Sequence, residues 1–274
     1  MFKVKGKGGQ VVAILLTALI LLFAYTYWGT NAIAVKKYRV AIAGLPPAFD
    51  GFTILHLSDL HNKEYGHRQG RLLEVIGRQE FDLIAITGDI IDKRKPRLAP
   101  VEELIGGLGE EEIFFVPGNH EHWAGYGPIK AALEGLGVKT LENEGIRYER
   151  AGDHIWLLGV DDPYTGKDRL DEALGVVNDA RPRVLLAHAP DIFPAAAEAG
   201  LELVLVGHTH GGQIRLPFVG AVLAPGQGLL PHYDYGPFTE GGTTMIVNGG
   251  LGESLLPVRF NLRPEIVLVT LVAI

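Results

Sequence analysis

Residues 81–86, Phe-Asp-Leu-Ile-Ala-Ile, form a short, mostly apolar run without helical spacing, closed by Thr87-Gly88 and then by a carboxylate, Asp89. Such a run predicts a strand buried on both faces. An acid at the point where an α/β sheet opens towards its ligand crevice is costly unless something positive meets it. The same pattern recurs along the chain. Residues 53–57 run into Ser58-Asp59-Leu60-His61, and residues 113–116 into Pro117-Gly118-Asn119-His120-Glu121. Residues 184–187 stop at His188, and residues 203–206 at Gly207-His208-Thr209-His210-Gly211. Five apolar strands each deliver hard oxygen or imidazole donors at their carboxyl ends. One crevice then draws on the chain from Asp59 to His210, which favours a single domain over two.

The donors predict a two-metal site with Asp89 as the bridging carboxylate. Asp59-x-His61 and His208-x-His210 share an i, i+2 spacing, which on extended backbone puts both side chains on one face. Asp and His, with Asn as a neutral oxygen donor, suit Mn, Fe, Zn or Ni. The chain has no Cys, so thiolate metal sites, disulfides and a cysteine nucleophile are all excluded. Two ions roughly 3.5–4 Å apart clamp a phosphoryl group and lower the pKa of a bound water towards about 7, which makes a metal hydroxide the expected nucleophile.

Asp59-x-His61, Gly88-Asp89-x-x-Asp92, Gly118-Asn119-His120-Glu121, His188 and Gly207-His208-x-His210 resemble, in order and spacing, the motifs of calcineurin-like metallophosphoesterases. The pattern is most similar to the bacterial membrane-anchored phosphodiesterase branch. The resemblance implies an α/β fold of two stacked mixed β-sheets flanked by helices, an αββα sandwich. It implies that Asp59, His61 and His210 bind one metal, that Asn119, His188 and His208 bind a second, and that Asp89 bridges. His120 takes the place of the family's non-ligand histidine, the general acid that protonates the leaving oxygen. Glu121 stands where many members have Asp and is expected to orient His120, and Asp92 to support the ligands from behind.

The wider chain agrees with that architecture. Strand and helix patterns alternate from residue 53 to 136, with helices expected over residues 71–76, 101–108 and 129–136, arguing for a largely parallel sheet. Residues 138–141, 146–150 and 155–160 are short segments between Gly-containing turns and are expected to form hairpin strands of a second sheet. A helix over residues 170–177 follows, and residues 245–248 and 265–272 add two closing strands. Residues 36–42 alternate as an edge strand.

Ahead of these, residues 11–28 are uncharged and end in Tyr25, Tyr27 and Trp28. Eighteen helical residues span about 27 Å, close to a bilayer core of about 30 Å. Residues 1–34 are therefore expected to be a basic N-terminus with one transmembrane helix, and residues 35–274 the catalytic domain. A cleaved signal peptide is the rival, because Ala32-Ile33-Ala34 has the small-x-small form of a cleavage site. Lys3, Lys5 and Lys7 flank the run on one side and Lys36, Lys37 and Arg39 on the other. The positive-inside count is thus a tie. The free amino terminus and the cleavage-like site tip it towards a domain on the outer face. Three of the 25 Lys and Arg precede residue 35, which leaves 22 bases against 32 acids in the body. So acidic a body is a poor nucleic-acid partner, and no specific nucleic-acid binding is expected.

The expected function is dinuclear-metal-dependent hydrolysis of phosphoesters, diesters foremost, with a membrane-associated phosphate compound as the leading substrate and a lipid-linked one as an option. The alternatives are a phosphomonoesterase, a lipid-linked pyrophosphate hydrolase, or a non-catalytic metal-binding module. Other residues are given ordinary roles. His56 is expected to be a satisfied core group, and His67, His154 and His232 to face solvent. His122 is a lesser candidate for contact with the leaving group. Gln213 is either a pocket or a structural residue, and the apolar residues 216–223 are expected to be a buried strand and turn, with contact to lipid as the alternative.

Overall fold

The computed structural model describes residues 7–254 and 256–274; Lys3 and Lys5, counted above for membrane orientation, lie outside them. Helix α1 (Lys7–Asn31) leads directly into strand β1 (Ala34–Ile42). The ladder continues with β2 (Thr53–Leu57), helix α2 (Gly70–Ile76), β3 (Leu83–Thr87), helix α3 (Ala99–Ile105) and β4 (Ile113–Val116). Two consecutive helices, α4 (Asn119–Ala124) and α5 (Tyr126–Gly135), precede the two-residue β5 (Lys139–Thr140). The second half holds the hairpin β6 (Glu144–Arg150) and β7 (Asp153–Gly159), helix α6 (Leu170–Leu174), β8 (Arg183–Leu186), helix α7 (Phe193–Glu198) and β9 (Leu203–Val206). Two small hairpins follow, β10 (Arg215–Leu216) with β11 (Gly220–Ala221), and β12 (Leu223–Ala224) with β13 (Gly228–Leu229). Strands β14 (Gly236–Glu240), β15 (Thr243–Val247) and β16 (Glu265–Ala273) complete the chain.

Two six-stranded mixed sheets result, ordered β1-β16-β2-β3-β4-β5 and β14-β15-β9-β8-β7-β6. Side chains alternate across each strand, so every central strand feeds two apolar layers. Leu83 and Ala85 of β3 face Val184 and Leu186 of β8 in the layer between the sheets. Ile84 and Ile86 point the other way, onto Leu72 and Ile76 of α2 and Leu104 of α3. Leu185 and Val204 meet Phe193 and Ala196 of α7 on the far side of the second sheet. This is the expected αββα sandwich.

One assignment is corrected. Residues 138–141 were expected in the second sheet, but Lys139 and Thr140 pair in parallel with Phe114 and Phe115 at the edge of the first. The hairpin pattern begins only at β6, because the Gly137 turn returns the chain to β4 before it crosses between sheets.

Strand direction puts the functional end of the first sheet beside α1. Ala34 pairs with Glu265, and β16 runs antiparallel to β2 with Val267 opposite His56. The chain thus leaves α1 at the level where β2 ends and Asp59 begins. One helix among the described residues, Gly8–Asn31, is long and apolar enough to cross a membrane, and the rest of the chain covers none of its most apolar stretch. Its last turns are docked. Tyr25 donates to Asn261 Oδ1 (2.6 Å), the backbone N–H of Arg259 donates to Thr30 Oγ1 (2.9 Å), and Lys63 donates to the Thr30 carbonyl (2.6 Å).

Candidate metal centre

The five loops expected to carry ligands converge. Asp59 and His61 follow β2, Asp89 follows β3, Asn119 opens α4, His188 follows β8, and His208 and His210 follow β9. All seven side chains are buried. The i, i+2 pairs do not converge by strand alternation, as the spacing argument assumed, because the strands stop before them. Asp59, His61, Asp89, His208 and His210 all have positive φ, between 46° and 67°. Non-glycine residues are uncommon in this region and persist there only where their surroundings over-determine them. Tight left-handed turns, not extended backbone, aim these donors inward. Gly88 is needed for the same turn: its φ is +80°, and a Cβ there would lie 2.6 Å from Gly118 N and 2.7 Å from His188 Nδ1.

The donor atoms form overlapping groups. Asp59, His61 and His210 make one set and Asp89, His188 and His208 another, while His61, Asp89 and His120 also group together. Asp89 Oδ2 lies 3.5 Å from His61 Nε2 and 3.3 Å from His188 Nε2, so it faces both sets. Its other oxygen accepts the His120 backbone N–H at 2.9 Å. Asp59 Oδ2 is held by the Ser58 hydroxyl (2.6 Å) and the His208 backbone N–H (3.1 Å). Asp59 Oδ1 is left buried with no hydrogen-bond partner, as are Asn119 Oδ1 and His208 Nε2. Such orphaned polar atoms call for an explanation. His188 Nδ1 lies 2.7 Å from the Thr87 carbonyl, which can only accept, so the neutral ring keeps a lone pair on Nε2. Backbone-oriented imidazoles of this kind are a regular part of metal sites.

Titration behaviour points the same way. Burial opposes charge at Asp59, but His210, His61 and His188 outweigh it and hold the carboxyl below the usual range. Burial likewise opposes charge at Asp89, where His188 and His61 win. His188 is correspondingly raised against its own burial, chiefly by Asp89. Burial pushes His208 down to about 4 and His210 to about 3. Two buried carboxylates are thus compensated by the protons that His61 and His188, both raised, hold beside them, the role divalent cations would fill better. The donor set fits hard-to-borderline ions.

His120 lies beside this cluster, its ring centroid 4.5 Å from that of His61. The Lys93 backbone N–H donates to its Nδ1 at 3.2 Å, which leaves the proton of the neutral ring on Nε2. Burial lowers its pKa to about 4. Glu121 does not orient it as expected. Its carboxylate accepts backbone N–H bonds from Asp89 and Gly118 (2.8 Å each) and from Ile91 (3.3 Å), tying the β3 and β4 loops together. Asp92 lies 4.0 Å from His120 Nδ1 and is clamped by Arg94.

The other histidines divide. His56 is buried against the Thr87 hydroxyl (2.8 Å), and burial lowers it to about 3. His67 and His232 are exposed, but His154 is buried against Asp179 (2.9 Å), contrary to its expected solvent position. His122 is bound to Asp161 at 2.5 Å and does not line the cleft. Gln213 is buried and donates to the Leu256 carbonyl, a structural contact.

Above the cluster lies a cleft of about 360 Å³ lined by Asp89, Asn119, His120, His208 and His210. Sequence reasoning missed the rest of its wall: Lys93, Arg94, Trp123, Tyr164, Gly226 and Ser254. Lys93 Nζ sits 3.5 Å over the Trp123 ring, and the Tyr164 ring lies 4.7 Å from that of His208. Lys93 and Arg94, just beyond Asp92, and Trp123, three residues beyond His120, had a nearby motif to betray them.

A fold of two stacked mixed sheets, with Asp, Asn and His donors at the strand ends, defines a class. The calcineurin-like phosphoesterase family profile matches residues 52–212, and the chain belongs to that family as a metal-dependent phosphoester hydrolase. It is 32% identical to the uncharacterized metallophosphoesterase YkuE of Bacillus subtilis (strain 168), across 89% of this chain and 87% of that one. It is also 32% identical to a transmembrane protein with metallophosphoesterase domain of Bos taurus, across 85% of this chain and 56% of the other. Among solved structures, a 5'-nucleotidase precursor from Thermus thermophilus shares the fold, with TM-score 0.50 and 18% identity over 73% of this chain. That match spans 49% of the nucleotidase.

Proposed function

We propose that this protein is a membrane-anchored phosphodiesterase in which Asp59, His61 and His210 hold one divalent ion, Asn119, His188 and His208 hold a second, and Asp89 is shared. The observation that carries the reading is Asp89 Oδ2, which faces His61 and His188 from one oxygen. When bound, such ions neutralise a phosphoryl group and acidify water. Residues 1–34 serve as the anchor region and residues 35–274 as the catalytic domain.

The chain's own residues supply the rest. Lys93 and Arg94 place two cations at the mouth of a cleft in an otherwise acidic body, a local attraction for a phosphate. Trp123 and Tyr164 give it apolar walls. His120 offers Nε2–H to the phosphoryl or leaving oxygen. Its low pKa disfavours the imidazolium, but an anionic ester beside the ring restores it, since a close opposite charge favours the charged form. His120 then protonates the departing alkoxide as substrate binds.

Full-length protein in detergent, supplied with Mn²⁺, is expected to hydrolyse bis-p-nitrophenyl phosphate faster than the monoester, while Asp89→Asn is nearly inactive. Equal activity of the variant sinks the assignment, and faster monoester cleavage replaces the diesterase reading with a phosphomonoesterase. The catalytic domain is placed on the outer face. Protease added to intact cells or spheroplasts should then digest it; digestion only after lysis inverts the orientation.

A further inference from the structure

Residues 216–223 were expected to form a buried strand and turn, yet residues 216–219 and Leu223 are exposed and only Ala221 is buried. The hairpin β10–β11 turns through Leu216-Pro217-Phe218-Val219, closed by a Val219 N–H to Leu216 carbonyl bond of 3.2 Å. Phe218 has φ 65°, in the third position of a turn that ordinarily takes Gly after Pro. A bulky residue held there is strained. Its side chain is 109% exposed, fully clear of the protein. The next hairpin exposes Leu229 (76%) and Leu230 (69%). From Leu216 to Tyr233 the chain carries no Lys, Arg, Asp or Glu. A strained turn that holds an aromatic side chain out in water gains nothing for folding.

The hairpin stands beside the end of α1. Tyr25 donates to Asn261 Oδ1, and Asn261 donates through Nδ2 to the Arg215 carbonyl at 3.0 Å. Asn261 and Phe218 line one shallow groove. Tyr25 lies six residues before Asn31, so the body reaches roughly 9 Å up the helix from its end. Around it, Arg263 stacks 5.0 Å from the Trp28 ring, and Lys36 and Arg215 line the adjoining cavity. Aromatics with cations at one level are the composition of a bilayer interface. The same insertion reaches the active cleft: Gly226 lines it, and a Cβ there would lie 2.8 Å from His208 Nε2.

We infer that the paired hairpins of residues 215–230 are a second membrane-contacting element, which inserts Phe218, Val219, Leu229 and Leu230 into the leaflet that α1 leaves and seats the cleft against the lipid surface. The inference rests on α1 being a membrane anchor. It deepens the proposed function by making a phosphoester embedded in that leaflet the substrate class the cleft is built to meet. Exposed apolar hairpins linked through Asn261 to an uncovered apolar helix lose their cost only when lipid covers both.

The absence of native Cys makes the test direct. Single variants Phe218→Cys, Leu229→Cys, Tyr27→Cys and Ile274→Cys are labelled with an environment-sensitive fluorophore in the full chain, reconstituted in phosphatidylcholine–phosphatidylglycerol vesicles. Ile274 follows the last residue of β16, which runs away from the α1 end for nine residues, roughly 30 Å. Spin-labelled lipid is expected to quench the Phe218 and Leu229 labels by about half or more, as at Tyr27, with blue-shifted emission, and to leave Ile274 unaffected. Water-like emission at Phe218 and Leu229 with quenching at Tyr27 overturns the inference and leaves the anchor intact. Water-like emission at all four positions removes the anchor and the inference together.

Discussion

Arg259→Ala tests how the site is held. Arg259 is fully buried, and its guanidinium donates to the carbonyls of Gly249 (2.8 Å), Gly250 (3.1 Å) and Gly252 (2.5 Å). That loop straps the first ligand turn, because Leu251 N–H donates to the Ser58 carbonyl and Gly252 N–H to the Asp59 carbonyl. The Arg259 backbone meanwhile binds Thr30, so one residue joins the helix end to the metal centre. Truncation orphans the Gly249 and Gly252 carbonyls, each worth about 1–3 kcal/mol, and weakens Gly250, which keeps the Glu265 N–H; water entering the void recovers part of the loss. The expected net loss is about 3–5 kcal/mol, which at about 2–4 °C per kcal/mol lowers the melting temperature by roughly 6–20 °C. Thermal unfolding of full-length protein in detergent, followed by Trp fluorescence, reads this directly. Arg259→Lys should fall between, since a point charge cannot reproduce the fork of donors. Melting of Arg259→Ala within about 2 °C of the wild type, no more than the least that a single orphaned carbonyl predicts, refutes the strap.

Two further outcomes follow from the donor set. Chelation should lower the melting temperature reversibly, since each ion present at 100 times its dissociation constant adds about 2.7 kcal/mol to stability; a melt indifferent to chelator and to Mn²⁺ would deny the site its ions. His120→Ala should retain its metal content yet lose about 10²–10⁴-fold in rate on esters with poor leaving groups, and much less on p-nitrophenyl esters. Loss of metal from that variant, measured by elemental analysis, would make His120 a ligand instead.

The sequence by itself determined which residues could form the centre. Apolar runs that stop at Asp59, Asp89, Asn119, His188 and His208 are local facts, because a strand buried on both faces must be apolar and a hard donor at its end must have a use. The long uncharged segment before residue 35 is equally local. Contacts between distant segments decided the rest. Glu121 looked like a partner of His120, but spanning Asp89 and Gly118 became its task only once β3 and β4 lay side by side. His154 looked solvent-bound until Asp179 folded against it. Residues 138–141 carried no mark of which sheet they would join, since β5 has two residues and pairing is settled by the strand already waiting. Tyr164, Ser254 and Arg259 reach the site from loops far along the chain, without periodicity or motif. The turn at Phe218 shows the limit most plainly. An apolar octet reads as core or as lipid contact by composition, and only the tertiary structure shows that its turn, residues 216–219, lies exposed.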